Sequence, residues 1–223
     1  MSLRIRQRNL INKLVFHALD SPYALGLFHG QMGILIVVAH CSKQWGLSEL
    51  ECVADFLFEH IRLNTRRVDK IGLSTGLSGI CWGVEYLVQH GIMPGPADDI
   101  CEEVDGKIMQ TDVRRIDDFS LATGLNGLWL YVKARIQGNL VAGLPLPFDF
   151  VYLNDWQNVL TQNKEHFPVD AAQWLMDARK GRITPYELRL TPFIRPMRCC
   201  PQTDLSLSEG LAGYIAFHYL HEI

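Results

Sequence analysis

The sequence predicts an all-α protein built from repeated helical hairpins, and two observations lead to this prediction. A glycine-rich motif occurs four times, and each copy is followed by a run of apolar residues. The segments between the copies carry apolar residues at helical spacing, with charged residues on the other faces. A helix that is apolar nearly all round is buried, and an amphipathic helix can cover it. Repeated pairs of this kind indicate a ring of inner helices enclosed by outer ones.

The four motifs share the pattern small–Leu–x–polar–Gly–x–x–Gly. They start at positions 26, 72, 120 and 206 and read GLFHGQMG, GLSTGLSG, SLATGLNG and SLSEGLAG. The last interval is nearly twice the others, so we expect one intervening repeat to have lost its motif or to have been replaced. A phosphate loop is excluded, because no Lys-Ser/Thr pair follows the last glycine and no buried strand precedes the motif.

The segments between the motifs are predicted outer helices. In LSELECVADFLFEHIRLN the apolar positions that share one face are Leu50, Val53, Ala54, Leu57 and Ile61. In PADDICEEVDGKIMQ, Pro96 and an acidic first turn begin a second helix. Its apolar face consists of Ile100, Val104 and Ile108. Each repeat is therefore expected to contain one amphipathic and one buried helix.

The motif glycines are expected to lie in the first turn of each inner helix. There, glycine lets neighbouring backbones approach closely and leaves the first N–H groups accessible. The glycines predicted to contribute to binding in this way are Gly30, Gly76, Gly124 and Gly210. The polar residue directly before each of them is expected to line a shared cavity. These cavity residues are His29, Thr75, Thr123 and Glu209.

His29 is the candidate catalytic residue. A cavity-facing imidazole can act as a general acid or base, and a helix N-terminus disfavours its charged form. The alternative is a buried histidine that hydrogen-bonds to a neighbouring loop. Glu209 likewise has two interpretations, a cavity carboxylate or part of a helix cap.

Composition excludes several classes of function. A net charge of −3 and a pI near 6.2 provide no basic surface for nucleic acid. No apolar run approaches the roughly 18 residues of a membrane span. The six cysteines form no CxxC pair, which is typical of a reduced, cytoplasmic protein. We expect a single domain over 1–223, with an irregular, proline-rich segment at 139–201.

The motifs GLFHGQMGI and SLSEGLAGYIAF resemble those of the lanthionine synthetase C-like family. The resemblance covers most of the chain and implies an α/α toroid, full or partial, with a glycine-rich start to each inner helix. Family members of known activity are zinc enzymes that close thioether rings by adding a cysteine thiolate to a dehydrated Ser or Thr. Their metal ligands are two cysteines and a histidine in two late motifs.

Those zinc ligands have no counterparts here. The places of the family cysteine hold Phe28, Ser74, Ala122 and Ser208. Only His29 keeps a histidine, and a single imidazole does not supply the three ligands of a catalytic zinc site. Cys199 and Cys200 are the alternative thiolates, although adjacent cysteines rarely reach one metal.

The resemblance therefore implies a protein of peptide modification that binds a peptide or a modifying enzyme in its central cavity, with no cofactor expected. One alternative is an active thioether-forming cyclase or lyase that uses His29 with zinc in an unconventional site. A second alternative is a glycan-processing α/α barrel, for which the paired carboxylates at 98–99 and 117–118 are the available acids.

Overall fold

A computed structural model describes residues 5–19 and 24–220, and these residues form α-helices, short 3-10 turns and loops, with no strand. The all-α prediction is confirmed. The helices are α1 Ile5–Leu19, α2 Gln31–Trp45, α3 Ser48–Asn64, α4 Leu77–Gln89, α5 Asp98–Met109, α6 Leu125–Val141, α7 Phe150–Gln162, α8 Ala171–Ala178 and α9 Leu211–Tyr219. None of the helices within these ranges is long and apolar enough to cross a membrane.

Four helices begin directly after the glycine at the fifth position of a motif, as the sequence predicts. These helices are α2, α4, α6 and α9, and the glycine in each case is the N-cap residue. Every residue of α4 from Leu77 to Leu87 is buried, and so is every residue of α2 from Gln31 to Ala39. These are the inner helices of the fold.

The outer helices α3 and α5 cover the inner ones through their apolar faces. α3 packs on α2 and buries Leu50, Leu57 and Ile61. α5 packs on α4 and buries Val104 and Ile108. The predicted pairing of one amphipathic helix with one buried helix is correct for both repeats.

The inner helices lie side by side in the order α6, α4, α2, α9. The last inner helix of the chain therefore lies beside the first, and α1 packs on both α2 and α9. α8 packs on α6 and α7 at the other end of the row.

The predicted irregular segment at 139–201 needs correction. α6 continues to Val141, and the segment also contains α7 and α8. These two helices form a hairpin that occupies the place of the missing motif repeat. The longest stretch without an α-helix follows α8, and we refer to residues 182–197 as the strap.

The strap crosses from one end of the row of inner helices to the other. At its start, the backbone of Tyr186 exchanges two hydrogen bonds with the side chain of Gln137 on α6, at 2.8 and 2.7 Å. At its end, the backbone N–H of Arg195 donates to the carbonyl of Ser208 at 2.9 Å. The strap thus connects α6 with the loop that precedes α9.

Each motif loop caps its own helix. The first N–H of every inner helix donates to the carbonyl seven residues earlier in the chain. These bonds run from Gln31 to Ala24 at 2.8 Å, Leu77 to Lys70 at 2.9 Å, Leu125 to Asp118 at 2.8 Å and Leu211 to Asp204 at 2.8 Å. The expectation that these N–H groups are accessible is therefore wrong, because the backbone carbonyls of the loop already satisfy them.

Candidate functional site

The four motif loops lie next to each other and are joined by backbone hydrogen bonds. Ser74 in the second loop donates to Ala122 in the third at 2.8 Å, and it accepts from Phe28 in the first at 3.1 Å. Phe28 in turn accepts from Leu207 in the fourth loop at 3.0 Å. The loops therefore follow the same order as the inner helices, which brings together the positions predicted to line a cavity.

His29 is exposed at the surface of the first loop. Its backbone N–H donates to Ser74 at 3.3 Å, while its imidazole makes no hydrogen bond within the part of the chain that the structure describes. The alternative of a buried, hydrogen-bonded histidine does not fit this environment. A ligand can therefore reach the His29 ring from solvent.

The other three predicted cavity residues differ in their surroundings. Thr75 is half-buried, and Thr123 donates through its hydroxyl to Asp118 at 2.6 Å. Hydrogen bonds from Thr123 and Ser120 hold the pKa of Asp118 below its usual value. The carboxylate of Glu209 pairs with Arg195 of the strap at 2.5 Å. Thr123 and Glu209 thus already have partners inside the protein.

The predicted binding glycines are surrounded by the protein's own backbone. A Cβ atom added to Gly30, Gly76, Gly124 or Gly210 would lie within 3.0 Å of backbone atoms of the same loop. Gly79 of the second motif is also approached by the first motif loop, since a Cβ added to it would lie 2.7 Å from the backbone nitrogen of Leu27. These glycines permit close packing of loops and helices, and the space beside them contains protein.

The strap fills part of the inner surface beside the loops. Its residue Phe193 lies between Trp82 of α4 and Phe28 of the first loop, with ring centres 5.1 Å apart in both pairs. Phe28 and Phe193 are both buried. The first and fourth motif loops are therefore covered on this side by the strap.

A second feature of the strap is a groove that it forms with α9. The groove has a volume of about 510 Å³. Its lining consists of Glu187, Arg189, Thr191, Ile194, Ala216, Phe217 and Leu220. The Phe217 side chain is 47% exposed. The groove thus combines an apolar wall with a positive and a negative side chain.

The places of the family's zinc ligands hold no metal-binding set. Phe28 and Ser74 are buried, and the half-buried Cys200 directs its thiol towards the carbonyl of Pro201 at 3.6 Å. Cys199 is exposed. Within residues 5–19 and 24–220, no three or more His, Cys, Asp or Glu side chains are arranged to hold a metal ion.

A buried charge cluster was not anticipated from the sequence. Arg135 on α6 is 1% exposed and bonds to Glu85 of α4 at 2.8 Å. It also bonds to Asp105 and Asp98 of α5, at 2.6 Å each, and to Asn139 at 2.8 Å. Burial raises the pKa of both Glu85 and Asp105, against the opposing effect of the guanidinium. The cluster joins α4, α5 and α6. Because its charged side chains bond to each other, we assign the cluster a structural role.

His40 of α2 is half-buried. Its Nε2 lies 2.8 Å from the hydroxyl of Tyr86. Burial lowers the pKa of His40 to about 4, helped by the nearby His90 and Lys43. His40 is therefore neutral in the folded protein at pH 7.

Comparison of the chain with protein-family models, curated proteins and solved structures finds no match.

Proposed function

We propose that this chain is a lanthionine synthetase C-like protein, a full or partial helical toroid that binds a peptide and lacks the zinc-dependent cyclase activity. Two features support the toroid. Four inner helices begin at the same glycine motif, and the last of them lies beside the first. This adjacency is expected when a row of hairpins curves back on itself.

The observation that carries the binding function is the groove between the strap and α9. Its volume of about 510 Å³ suits a few residues of an extended peptide. Phe217 and Ile194 offer apolar contact. Arg189 pairs with Glu187 at 2.5 Å, and the remaining N–H groups of its guanidinium can donate to a peptide carbonyl. His29 and Thr75, at the motif loops, are the second place where a peptide can make contact.

The lack of cyclase activity follows from the side chains at the ligand places. Phe28, Ser74 and Ala122 cannot donate a thiolate, and Cys199 and Cys200 lie outside the motif loops. Without zinc ligands, this chain could still recognise a peptide, because that part of the family's activity does not need the metal. For the glycan-processing alternative, one acid of each pair is engaged within the protein, since Asp98 bonds to Arg135 and Asp118 to Thr123.

The binding proposal can be tested by fluorescence anisotropy with labelled peptides that contain Ser, Thr and Cys, in native and dehydrated form. Phe217→Ala should weaken binding roughly 5–30-fold, because a partly exposed aromatic contact contributes about 1–2 kcal/mol. Phe56→Ala is the matched control, since Phe56 is 57% exposed on the outer helix α3. Both variants should keep the melting temperature of the parent protein.

His29→Ala decides whether the motif loops take part in binding. Because the ring is exposed and makes no internal hydrogen bond, its removal should leave the melting temperature nearly unchanged. Weaker peptide binding in this variant would assign binding to the loops. If no peptide binds, or if neither Phe217→Ala nor His29→Ala affects binding, the proposed function is wrong.

Zinc content and thiol loss distinguish a binding protein from an active cyclase. We expect elemental analysis of the purified protein to find no stoichiometric zinc and dehydrated peptides to keep their free thiols. About one zinc per chain, lost in a Cys199→Ser, Cys200→Ser double variant, together with thiol loss that depends on His29, would instead establish the cyclase alternative.

A further inference from the structure

A groove opens between the outer helices α3 and α5. α3 packs on α2 and α5 packs on α4, while α3 and α5 make few contacts with each other. Between them lies a cavity of about 570 Å³. Its floor is formed by buried residues of the inner helices, namely Leu35 and Ala39 of α2 and Leu87 of α4. The gap in the outer layer therefore has an apolar floor at the level of the inner helices.

The walls of the groove are also largely apolar. Phe58 of α3, Ile100 of α5 and Met93 of the loop after α4 contribute half-buried side chains. Ala54 of α3 is half-buried beside them, at a position where a larger residue would fill part of the cavity. Ligand pockets commonly have this size and are lined mainly by apolar side chains with a few polar groups. The groove can therefore accept apolar side chains of another molecule.

The rim of the groove carries an excess of negative charge. Glu51 and Asp55 of α3 and Asp99 of α5 are exposed, and within the described ranges none of them forms an ion pair or a side-chain hydrogen bond. Lys43 is the single cation among the lining residues, and its Nζ donates to the carbonyl of His90 at 3.3 Å. Glu51 and Asp55 are one helical turn apart, where like charges repel each other. A cation bound at the rim would relieve this repulsion.

The helix dipoles account for only part of this charge. Glu51 and Asp99 lie in the first turns of α3 and α5, where the dipole favours a carboxylate. Asp55 lies one turn further along α3, and the effect of the dipole falls off within the first turn. Asp55 is therefore the residue at which the charge of a partner can be tested most directly.

The groove is elongated along the two helices. A second depression of about 310 Å³ continues it along α5 and shares Asp99 and Ile100 with the first. On α3 the lining runs from Glu51 to Arg62, which is a distance of about 16 Å along the helix axis. An extended chain of about five residues has the same length. The shape therefore suits a segment of polypeptide better than a small molecule.

We propose that the groove between α3 and α5 docks a segment of a partner protein in which apolar residues are flanked by Lys or Arg. The apolar side chains of the segment occupy the cavity beside Phe58. Its basic side chains pair with Glu51, Asp55 and Asp99 at the rim. This surface belongs to the outer helices and uses neither the motif loops nor the groove beside α9, so it is independent of the proposed peptide-binding function.

The direct test is fluorescence anisotropy with three labelled peptides. Fluorescein-Lys-Leu-Leu-Lys-Leu-amide combines the two features, a counterpart with Glu in place of Lys reverses the charge, and a counterpart with Ser in place of Leu removes the apolar side chains. We expect saturable binding of the Lys–Leu peptide alone, and weaker binding at high salt because exposed charges are screened. No binding of the Lys–Leu peptide, or equal binding of either counterpart, would overturn the proposal.

Variants locate the binding site of the Lys–Leu peptide. Ala54→Trp fills the groove and should weaken binding roughly 10-fold or more, since buried apolar anchors dominate such contacts. Its control is Ala142→Trp, at an exposed position outside the groove. Asp55→Asn should weaken binding roughly 2–5-fold, as expected for an exposed ion pair. Its control is Asp69→Asn, which removes an exposed, unpaired carboxylate outside the groove.

All of these variants should keep the melting temperature of the parent protein. Unchanged binding in both Ala54→Trp and Asp55→Asn would contradict the proposal, and so would equal weakening in the controls. Phe217→Ala should bind the Lys–Leu peptide like the parent. Loss of binding in Phe217→Ala would place the peptide in the groove beside α9 and would overturn the assignment to α3 and α5.

Sedimentation velocity distinguishes a partner protein from a second copy of this chain. A monomer, or an oligomer that persists in Ala54→Trp, agrees with the proposal. A dimer that Ala54→Trp dissociates would show that a second copy occupies the groove, and the proposed partner would then be wrong.

Discussion

Arg135 donates to a single carboxylate oxygen of Asp105 through two nitrogens, Nε at 3.0 Å and Nη2 at 2.6 Å. The other oxygen of Asp105 accepts from the hydroxyl of Tyr131. Both members of this ion pair are buried, and Glu85 bonds to the same guanidinium. In the described part of the chain, Arg135 is the single cation bonded to these buried carboxylates, so its removal would leave them uncompensated.

We predict that Arg135→Met lowers the free energy of unfolding by about 3–5 kcal/mol, because breaking a buried ion pair leaves unpaired charge in the core. Chemical denaturation measures the change. Arg114→Met is the control, since Arg114 pairs with Asp112 and Asp155 at the surface. That variant should lose far less stability than Arg135→Met, because solvent screens an exposed ion pair. If both variants lowered the free energy of unfolding by the same amount, the buried cluster would contribute no more to stability than a surface ion pair.

The motif glycines give a second prediction, for which the chain offers a matched pair. Gly76→Ala should destabilise the protein by about 1–3 kcal/mol, because the added Cβ would meet the backbone carbonyl of Lys70. Gly106 lies inside α5 with no atom within 4 Å of its Cβ position. Gly106→Ala should therefore stabilise the protein by about 0.5–1 kcal/mol through its better helix propensity.

Thermal melts of both glycine variants measure the difference. Melting temperatures that move in opposite directions agree with the prediction. A Gly76→Ala protein that melts like the parent would mean that the loop can move away from its own helix.

His40 predicts a dependence of stability on pH. Its pKa is about 4 in the folded protein, below the ordinary value of 6.5, so the unfolded chain binds more protons between these pH values. The stabilising contribution of neutral His40 is therefore complete above about pH 6.5 and is lost as the pH falls towards 4. The loss should amount to about 1–3 kcal/mol.

Urea denaturation of the parent and of His40→Gln from pH 4 to 7 isolates this contribution, since the other titrating groups are common to both proteins. The two stability curves should converge towards low pH, because only the parent loses the His40 contribution. Curves that remain parallel over the whole range would show that His40 titrates alike in the folded and unfolded states.

The strap gives a fourth prediction. Phe193→Ala should release the strap from Trp82 and Phe28, at a cost of about 3–5 kcal/mol for a buried phenylalanine. Limited trypsin digestion should then cut first in the strap, after Arg189, because local opening precedes global unfolding. Phe150→Ala, at an exposed position of α7, is the control. Cleavage spread evenly over the chain would indicate global unfolding instead.

The helical repeats could be predicted because they rest on local signals. Glycine spacing located the starts of α2, α4, α6 and α9, and helical periodicity identified the buried face of α5 through Val104 and Ile108. The hairpin of α7 and α8 was missed, because the prolines on either side of it suggested an irregular segment. The helical spacing of apolar residues is nevertheless present in α7, where Tyr152, Trp156 and Val159 are buried.

The buried charges could not be predicted from local patterns. Arg135 lies in a helix that also carries Lys133, and a charged helical residue usually faces solvent. Its partners Glu85 and Asp105 are 50 and 30 residues away in the chain, so only the packing of three helices brings them together. The path of the strap could not be predicted for the same reason, because it depends on contacts with helices from distant parts of the sequence.

The self-capping of the motif loops has a consequence for how such a chain can change over evolutionary time. Each inner helix obtains its first hydrogen bond from a carbonyl seven residues upstream, so that bond needs nothing from another repeat. The start of an inner helix is thus satisfied within its own repeat, and the duplication, shortening or replacement of one hairpin leaves the first N–H of the neighbouring inner helices paired. The α7–α8 hairpin, which has no motif and lies between two repeats that do, is consistent with such a replacement.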